Sequence, residues 1–292
     1  MRRSIFGSFT NFREVALTNA NFEQMPVMGG THVRRSNPLG FDDGAAYERM
    51  MGTWSRLAGE SFLNWLAPPA GLRWIDVGSG AFTQLIVEQW APAEVQGIDP
   101  SEGQLMFART RPAARVASFM QGDALALPFP DRRFDTAVMA LVIFFIPDPV
   151  KGVTEMVRVV RQGGTVATYA WDVLGGGVPL EPIQAEMRTM GVTPVLPPNS
   201  DVSRMQPLWE LWSRAGLDAI ETREISVQRT FADFEDFWET SLLSSVGPTV
   251  AAMPTRDAEL LKSRVKARVV ANAAGHITCA ALANAIRGCV PK

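Results

Sequence analysis

The chain has only two cysteines and two histidines among its 292 residues. Cys279 and Cys289 lie far from any His/Cys cluster, so neither a disulfide framework nor a zinc site is suggested and no metal is expected. They read as small apolar residues in a reducing compartment. No run approaches the ~18 apolar residues of a membrane span, and Arg2-Arg3 are followed by no apolar stretch of signal-peptide type. A cytoplasmic protein with no membrane partner is expected. Charge of either sign is not in excess: 28 basic and 30 acidic residues give a formal net charge of −2, which offers no general attraction for nucleic acid. His32 falls in a polar N-terminal stretch and His276 ahead of the last extended run, and both are read as structural.

What the chain does have is 47% apolar content, enough for an ordinary globular core. Residues 1–40 are polar, lack a helical apolar face and carry Phe12, Leu17 and Phe22 at five-residue steps. They are read as an extension outside the core, too short for a solenoid. One domain over 41–292 is expected to follow. Apolar residues at three- and four-residue steps over 44–66 predict one or two amphipathic helices. Strands are then expected at 72–78, 95–98, 116–120, 136–144 and 165–171, alternating with helices over 82–90, 101–111 and 150–161. That alternation implies right-handed βαβ units. Strands over 219–230 and 276–283 follow. The expected fold is α/β, a doubly wound, Rossmann-like, mostly parallel seven-stranded sheet with one antiparallel strand. A helical cap is expected from segments at about 173–206 and 231–270.

Chemistry concentrates at the carboxyl ends of the strands, where doubly wound sheets bind ligands. The first strand ends in Asp76-Val77-Gly78-Ser79-Gly80, a turn whose missing side chains let a ligand approach the backbone. Alone, such a turn suits several cofactors. Asp99, followed by Pro100 and Ser101, stands at the end of the second strand, where a carboxylate can accept both hydroxyls of a ribose. Asp123, followed by Ala124, stands at the end of the third, placed to receive an adenine amino group.

With these three acidic strand ends the sequence resembles class I S-adenosylmethionine-dependent methyltransferases, specifically the group similar to ubiquinone/menaquinone-biosynthesis methyltransferases. The likeness runs from about 44 to 172 and includes LPFPDRRFDTAVMALVIFFIPDPVKGVTEMVRVVRQGGTVATYAWD. It implies that Asp76, Gly78, Ser79 and Gly80 surround the methionine part of S-adenosyl-L-methionine and that Asp99, with Pro100 and Ser101, holds the ribose. It implies further that Gln104, Asp123 and Ala124 face adenine and that Ala140 and Leu141, with Val142, line the floor. Tyr47 and Trp54 would belong to an N-terminal helix closing over the ligand.

Two departures stand out. The family pattern has a third glycine where this chain has Ala81-Phe82, so either that glycine is replaced or the loop is two residues shorter. Related sequences often carry histidine near Ile143, Phe144 or Phe145, and this chain has none there. Because a sulfonium methyl is already activated, in-line placement can supply much of the rate without a dedicated base. Tyr169 and Asp172, at the end of the fifth strand, are the candidate catalytic residues, with a turn or capping role the blander alternative for Asp172. The expected activity is methyl transfer to a small, partly apolar acceptor, releasing S-adenosyl-L-homocysteine, by a monomer or homodimer. The alternative is a methyltransferase-like binding or regulatory protein with weak or no catalysis.

Overall fold

Where the sequence runs apolar between glycines it forms strands buried on both faces, as a parallel sheet covered by helices requires. The structure, a computed structural model, describes Ala46, residues 48–78 and residues 80–292. The N-terminal extension with His32, and also Tyr47 and Ser79, lie outside the described residues. The strands are β1 (Arg73–Val77), β2 (Glu94–Asp99), β3 (Ala117–Gln121), β4 (Phe134–Ala140), β5 (Val160–Trp171), β6 (Asp218–Phe231) and β7 (Ile277–Cys289). They form one seven-stranded sheet in the order β3-β2-β1-β4-β5-β7-β6. The pairings from β3 across to β5 are parallel, whereas β7 pairs antiparallel with both β5 and β6. This is the mostly parallel sheet with one antiparallel strand implied by the sequence.

The strand order reverses direction between β1 and β4. At such a switch point the connections leave to opposite sides, so their carboxyl ends open a crevice. The core beneath it is dense: Trp74, Ile75, Leu85, Phe134, Val138 and Tyr169 are all at 1% exposure or less. At the opposite end of the sheet, Asp135 accepts from the backbone N and Nε of Arg73 (2.8 and 3.1 Å) and from Arg161 Nε (2.6 Å). These guanidinium partners hold its carboxyl well below the usual carboxylate range despite the cost of burial.

Helices pack around the sheet, and their starts follow the capping residues. A short π-helical turn (Glu48–Gly52) leads into α1 (Thr53–Leu66), and α2 (Ala81–Trp90) follows β1. Ser101 caps α3 (Glu102–Thr110) and Asp148 caps α4 (Pro149–Val159), accepting from Gln104 N and Lys151 N respectively. The later helices are α5 (Glu181–Thr189), α6 (Met205–Arg214), α7 (Phe234–Leu242), α8 (Val246–Ala251) and α9 (Thr255–Arg268). Trp212 of α6 is fully buried and its Nε1 donates to Val166 O of β5 (3.0 Å). Trp238 is also buried, whereas Trp209 on the outer face of α6 is 45% exposed. The helices α5 and α9, from the two segments expected to form a cap, are joined by Glu186, which accepts from Arg264 Nε (2.9 Å) and Arg268 Nη1 (3.1 Å).

Boundaries differ from expectation in three places. The fourth strand stops at Ala140 and residues Ile143–Phe145 form a 3-10 turn. The fifth strand begins at Val160, directly from α4, because the β-branched pair Val159-Val160 suits either state. The last strand continues through Cys289, past the expected 283. His276 precedes it, with Nδ1 3.0 Å from Ala232 O, a structural contact.

Candidate functional site

The crevice at the switch point holds a cavity of about 720 Å³. Its walls are the turns after β1, β2, β3 and β4. From the first come Gly78 and Gly80, from the second Asp99, Pro100 and Ser101, with Gln104 on α3. The third supplies Asp123 and Ala124, and Ala140 and Leu141 come from the end of β4. The topology thus brings ten of the expected binding residues to one cavity.

Local chemistry explains why these turns stay open. Gly78 has φ +104° and Gly80 φ +148°, conformations that side chains rarely adopt. A Cβ on Gly78 would fall on Val142 Cγ2, whereas one on Gly80 would meet nothing within 4 Å. The first glycine therefore lets the β1 and β4 turns close on each other, and the second leaves free space beside the backbone. Leu141 also has a positive φ of 60° and its N donates to Tyr169 O (2.9 Å), which fixes the β4 turn against β5. Asp99 Oδ1 accepts from Ser101 N (2.8 Å) and Asp123 Oδ1 from Leu125 N (2.9 Å), so each carboxylate is anchored through its own turn.

The helix α2 starts at Ala81, immediately after Gly80, with no side-chain cap. Of the two accounts of the missing third glycine, this geometry matches the shorter loop. Ala81 and Phe82 line the cavity, and Thr83 Oγ1 donates to Asp76 Oδ2 (2.5 Å). Asp76 does not line the cavity. It is fully buried behind the glycine turn, and its Oδ1 has no hydrogen-bond partner. Burial pushes its carboxyl up to about 7, with the hydrogen bond from Thr83 opposing the rise and the Asp99 charge adding to it.

Trp54 is a correction to expectation. It is turned into the core, 2% exposed, with its ring edge-on to Trp171 (6.4 Å) and tilted against Phe231 (6.5 Å). The next residue round the helix, Ser55, lines the cavity instead. Tyr169 lines the cavity from beneath, fully buried, with its ring 4.8 Å from that of Phe62 and its Oη 3.5 Å from Ser55 O. Asp172 lines neither this cavity nor the smaller one beside it. Its Oδ1 accepts from Gly175 N (3.1 Å) and its O from Gly177 N (2.7 Å), the turn role weighed against catalysis.

A second, smaller pocket of about 90 Å³ shares Leu141, Phe145, Val195 and Leu196 with the large cavity. The segment around Val195, Leu196 and Pro198 falls within the expected cap at about 173–206, but none of its residues was among the expected site residues. Its signal in the sequence was the pair of apolar residues ahead of Pro197-Pro198, with Val195 and Leu196 about two-fifths exposed in the structure.

Comparison with known proteins agrees with this geometry. Residues 75–168 match the family model described as a methyltransferase domain. The rice chloroplastic 2-methyl-6-phytyl-1,4-hydroquinone methyltransferase 2 is 45% identical over 95 residues, covering 32% of this chain and 27% of that protein. The demethylmenaquinone methyltransferase of Roseiflexus castenholzii is 37% identical over 103 residues, covering 35% and 43%. The matched span is thus less than half the length of either relative. Among solved structures, Haemonchus contortus phosphoethanolamine N-methyltransferase 2 in complex with S-adenosyl-L-methionine superposes with a TM-score of 0.53 at 19% identity, over 85% of this chain and 56% of that one, a likeness of fold. The matched residues 75–168 carry β2 to β4, most of β1 and β5 and the turns that wall the cavity, so the likeness to a methyltransferase domain falls on the part of the chain that builds the site.

Proposed function

We propose that this protein transfers a methyl group from S-adenosyl-L-methionine to a small, partly apolar acceptor. The observation that carries this reading is the cavity of about 720 Å³ at the switch point, with two anchored carboxylates and an open glycine turn on its walls. The residues fit the cofactor. Asp99 would accept the ribose hydroxyls, Asp123 and Ala124 would flank adenine beside Gln104, and the free space at Gly80 suits the methionine part. When bound, the cofactor supplies an activated methyl group on a sulfonium.

The chain's own contribution is placement and exclusion of water. Among the described residues, no charged or histidine side chain lines the smaller pocket, so the acceptor would be held by shape and a few polar contacts. Phe144 and Phe145, where related sequences often carry histidine, supply apolar wall. The protein is taken to act as a monomer or homodimer in the cytoplasm, without nucleic acid. No helix among the described residues is long and apolar enough to cross a membrane.

Incubation with S-adenosyl-L-methionine and a panel of hydroquinones, phenols, amines and carboxylic acids tests the activity. Acceptor-dependent release of S-adenosyl-L-homocysteine is expected with neutral ring compounds. No release with any member, in a protein that binds the cofactor, counts against it.

The turn geometry makes a separate prediction. Gly78→Ala forces a side chain onto Val142 and into a strained φ, a cost of about 1–3 kcal/mol. Cofactor affinity is expected to fall at least tenfold by calorimetry, and Val142→Ala in the same chain to restore part of it by removing Cγ2. Equal affinity in Gly78→Ala and the unaltered protein would show that the turns do not need this approach.

A further inference from the structure

We propose that Gln184 selects the acceptor, and that the acceptor is a neutral apolar molecule bearing a hydroxyl or carbonyl oxygen. This rests on the smaller pocket being the acceptor's side of the methyl-transfer site. Gln184 lines that pocket, is only 5% exposed, and its carboxamide has no hydrogen-bond partner among the described residues. An amide so placed keeps only a little contact with water at the pocket and has no protein partner, so a ligand that displaces that water must supply one or bear the cost.

Its orientation is fixed from the other side of the helix. Glu186, two residues further along α5 and so about 200° round it, is held by Arg264 and Arg268 of α9. That double ion pair sets the rotation of α5 with Gln184 on the pocket face. Trp171 lines the same pocket, and its indole Nε1 is also buried without an acceptor. Ser244, by contrast, is satisfied, donating to Ser241 O (2.6 Å).

The chemistry of the occupant follows. An indole N–H only donates and a carboxamide both donates and accepts, so the pair suits a carbonyl, phenol or alcohol oxygen. With no cation among the described lining residues, a carboxylate or phosphate would be buried without a counter-charge.

Phenol and toluene have nearly the same shape and differ in one hydroxyl, and benzoate adds a charge. Dissociation constants for the three are measured by ligand-observed NMR on the full chain, with and without S-adenosyl-L-homocysteine. Gln184→Met is expected to move the phenol-to-toluene preference about tenfold toward toluene, leaving S-adenosyl-L-homocysteine affinity within about twofold. Gln184→Leu serves as a second variant if the first melts early. An unchanged preference in the variants, no phenol binding at tens of millimolar, or benzoate binding as tightly as phenol overturns the proposal. Failure to bind S-adenosyl-L-homocysteine overturns the cofactor reading instead, and the phenol and toluene comparison, which needs no cofactor, still decides on Gln184.

Discussion

Asp99→Ala is expected to weaken S-adenosyl-L-homocysteine binding by about 10- to 100-fold, the loss of a charged acceptor facing two hydroxyls, about 1.5–3 kcal/mol. Asp99 stands at the end of β2, next to the glycine turn of β1 through the register Asp76↔Gly97 and Val77↔Ile98. Because Asp99 Oδ1 also accepts from Ser101 N, alanine would loosen the turn that starts α3. Asp99→Asn separates the two effects, since it keeps an oxygen for Ser101 N while removing the charge. An intermediate loss is expected for it. A dissociation constant unchanged in both variants would reject the placement of the ribose.

Asp76→Asn is expected to stabilise the unliganded protein at pH 8 and to do so less and less as the pH falls toward 4. The buried carboxyl titrates near 7 in the folded chain and near its ordinary value of 3.8 when unfolded. Between those values the folded state binds more protons than the unfolded state, so stability falls as pH rises through the window. Above it, the unaltered protein carries an ionised carboxylate in the core, a burden on the order of 3–4 kcal/mol that asparagine removes. Asparagine can still accept from Thr83 Oγ1 in the position of Oδ2. The melting temperatures of variant and parent should therefore converge in acid and diverge by several degrees in mild base. Parallel curves would mean that Asp76 titrates as an ordinary carboxyl.

The same residue links stability to binding with the opposite sign. A cationic ligand in front of the glycine turn favours the ionised form of Asp76, so cofactor affinity should rise as pH goes from 6 to 8 and the variant should lack that rise.

The central strands were legible because parallel strands covered on both faces read as apolar runs closed by glycine or aspartate. Asp99 was legible for the same reason, whereas Asp123, exposed after the largely exposed edge strand β3, was legible only from its place in the strand order. The direction of Trp54 was not legible, because a helix with apolar residues on several sides does not reveal which aromatic meets the core, and here Trp171 and Phe231 decide it. The length of β7 was hidden by its composition. Its middle is rich in alanine, which disfavours strands, yet Ala281, Ala283 and Ala285 are buried in the strand that joins β5 to β6. Gln184 carried no signal, since a glutamine on an amphipathic helix is usually solvated and only the tertiary pairing of Glu186 with α9 turns it inward.

Calorimetric titration of the full chain with S-adenosyl-L-homocysteine tests the central claim most directly. Saturable one-site heat with a dissociation constant below millimolar is expected, accompanied by a rise in melting temperature. No heat and no thermal shift at millimolar ligand would contradict it.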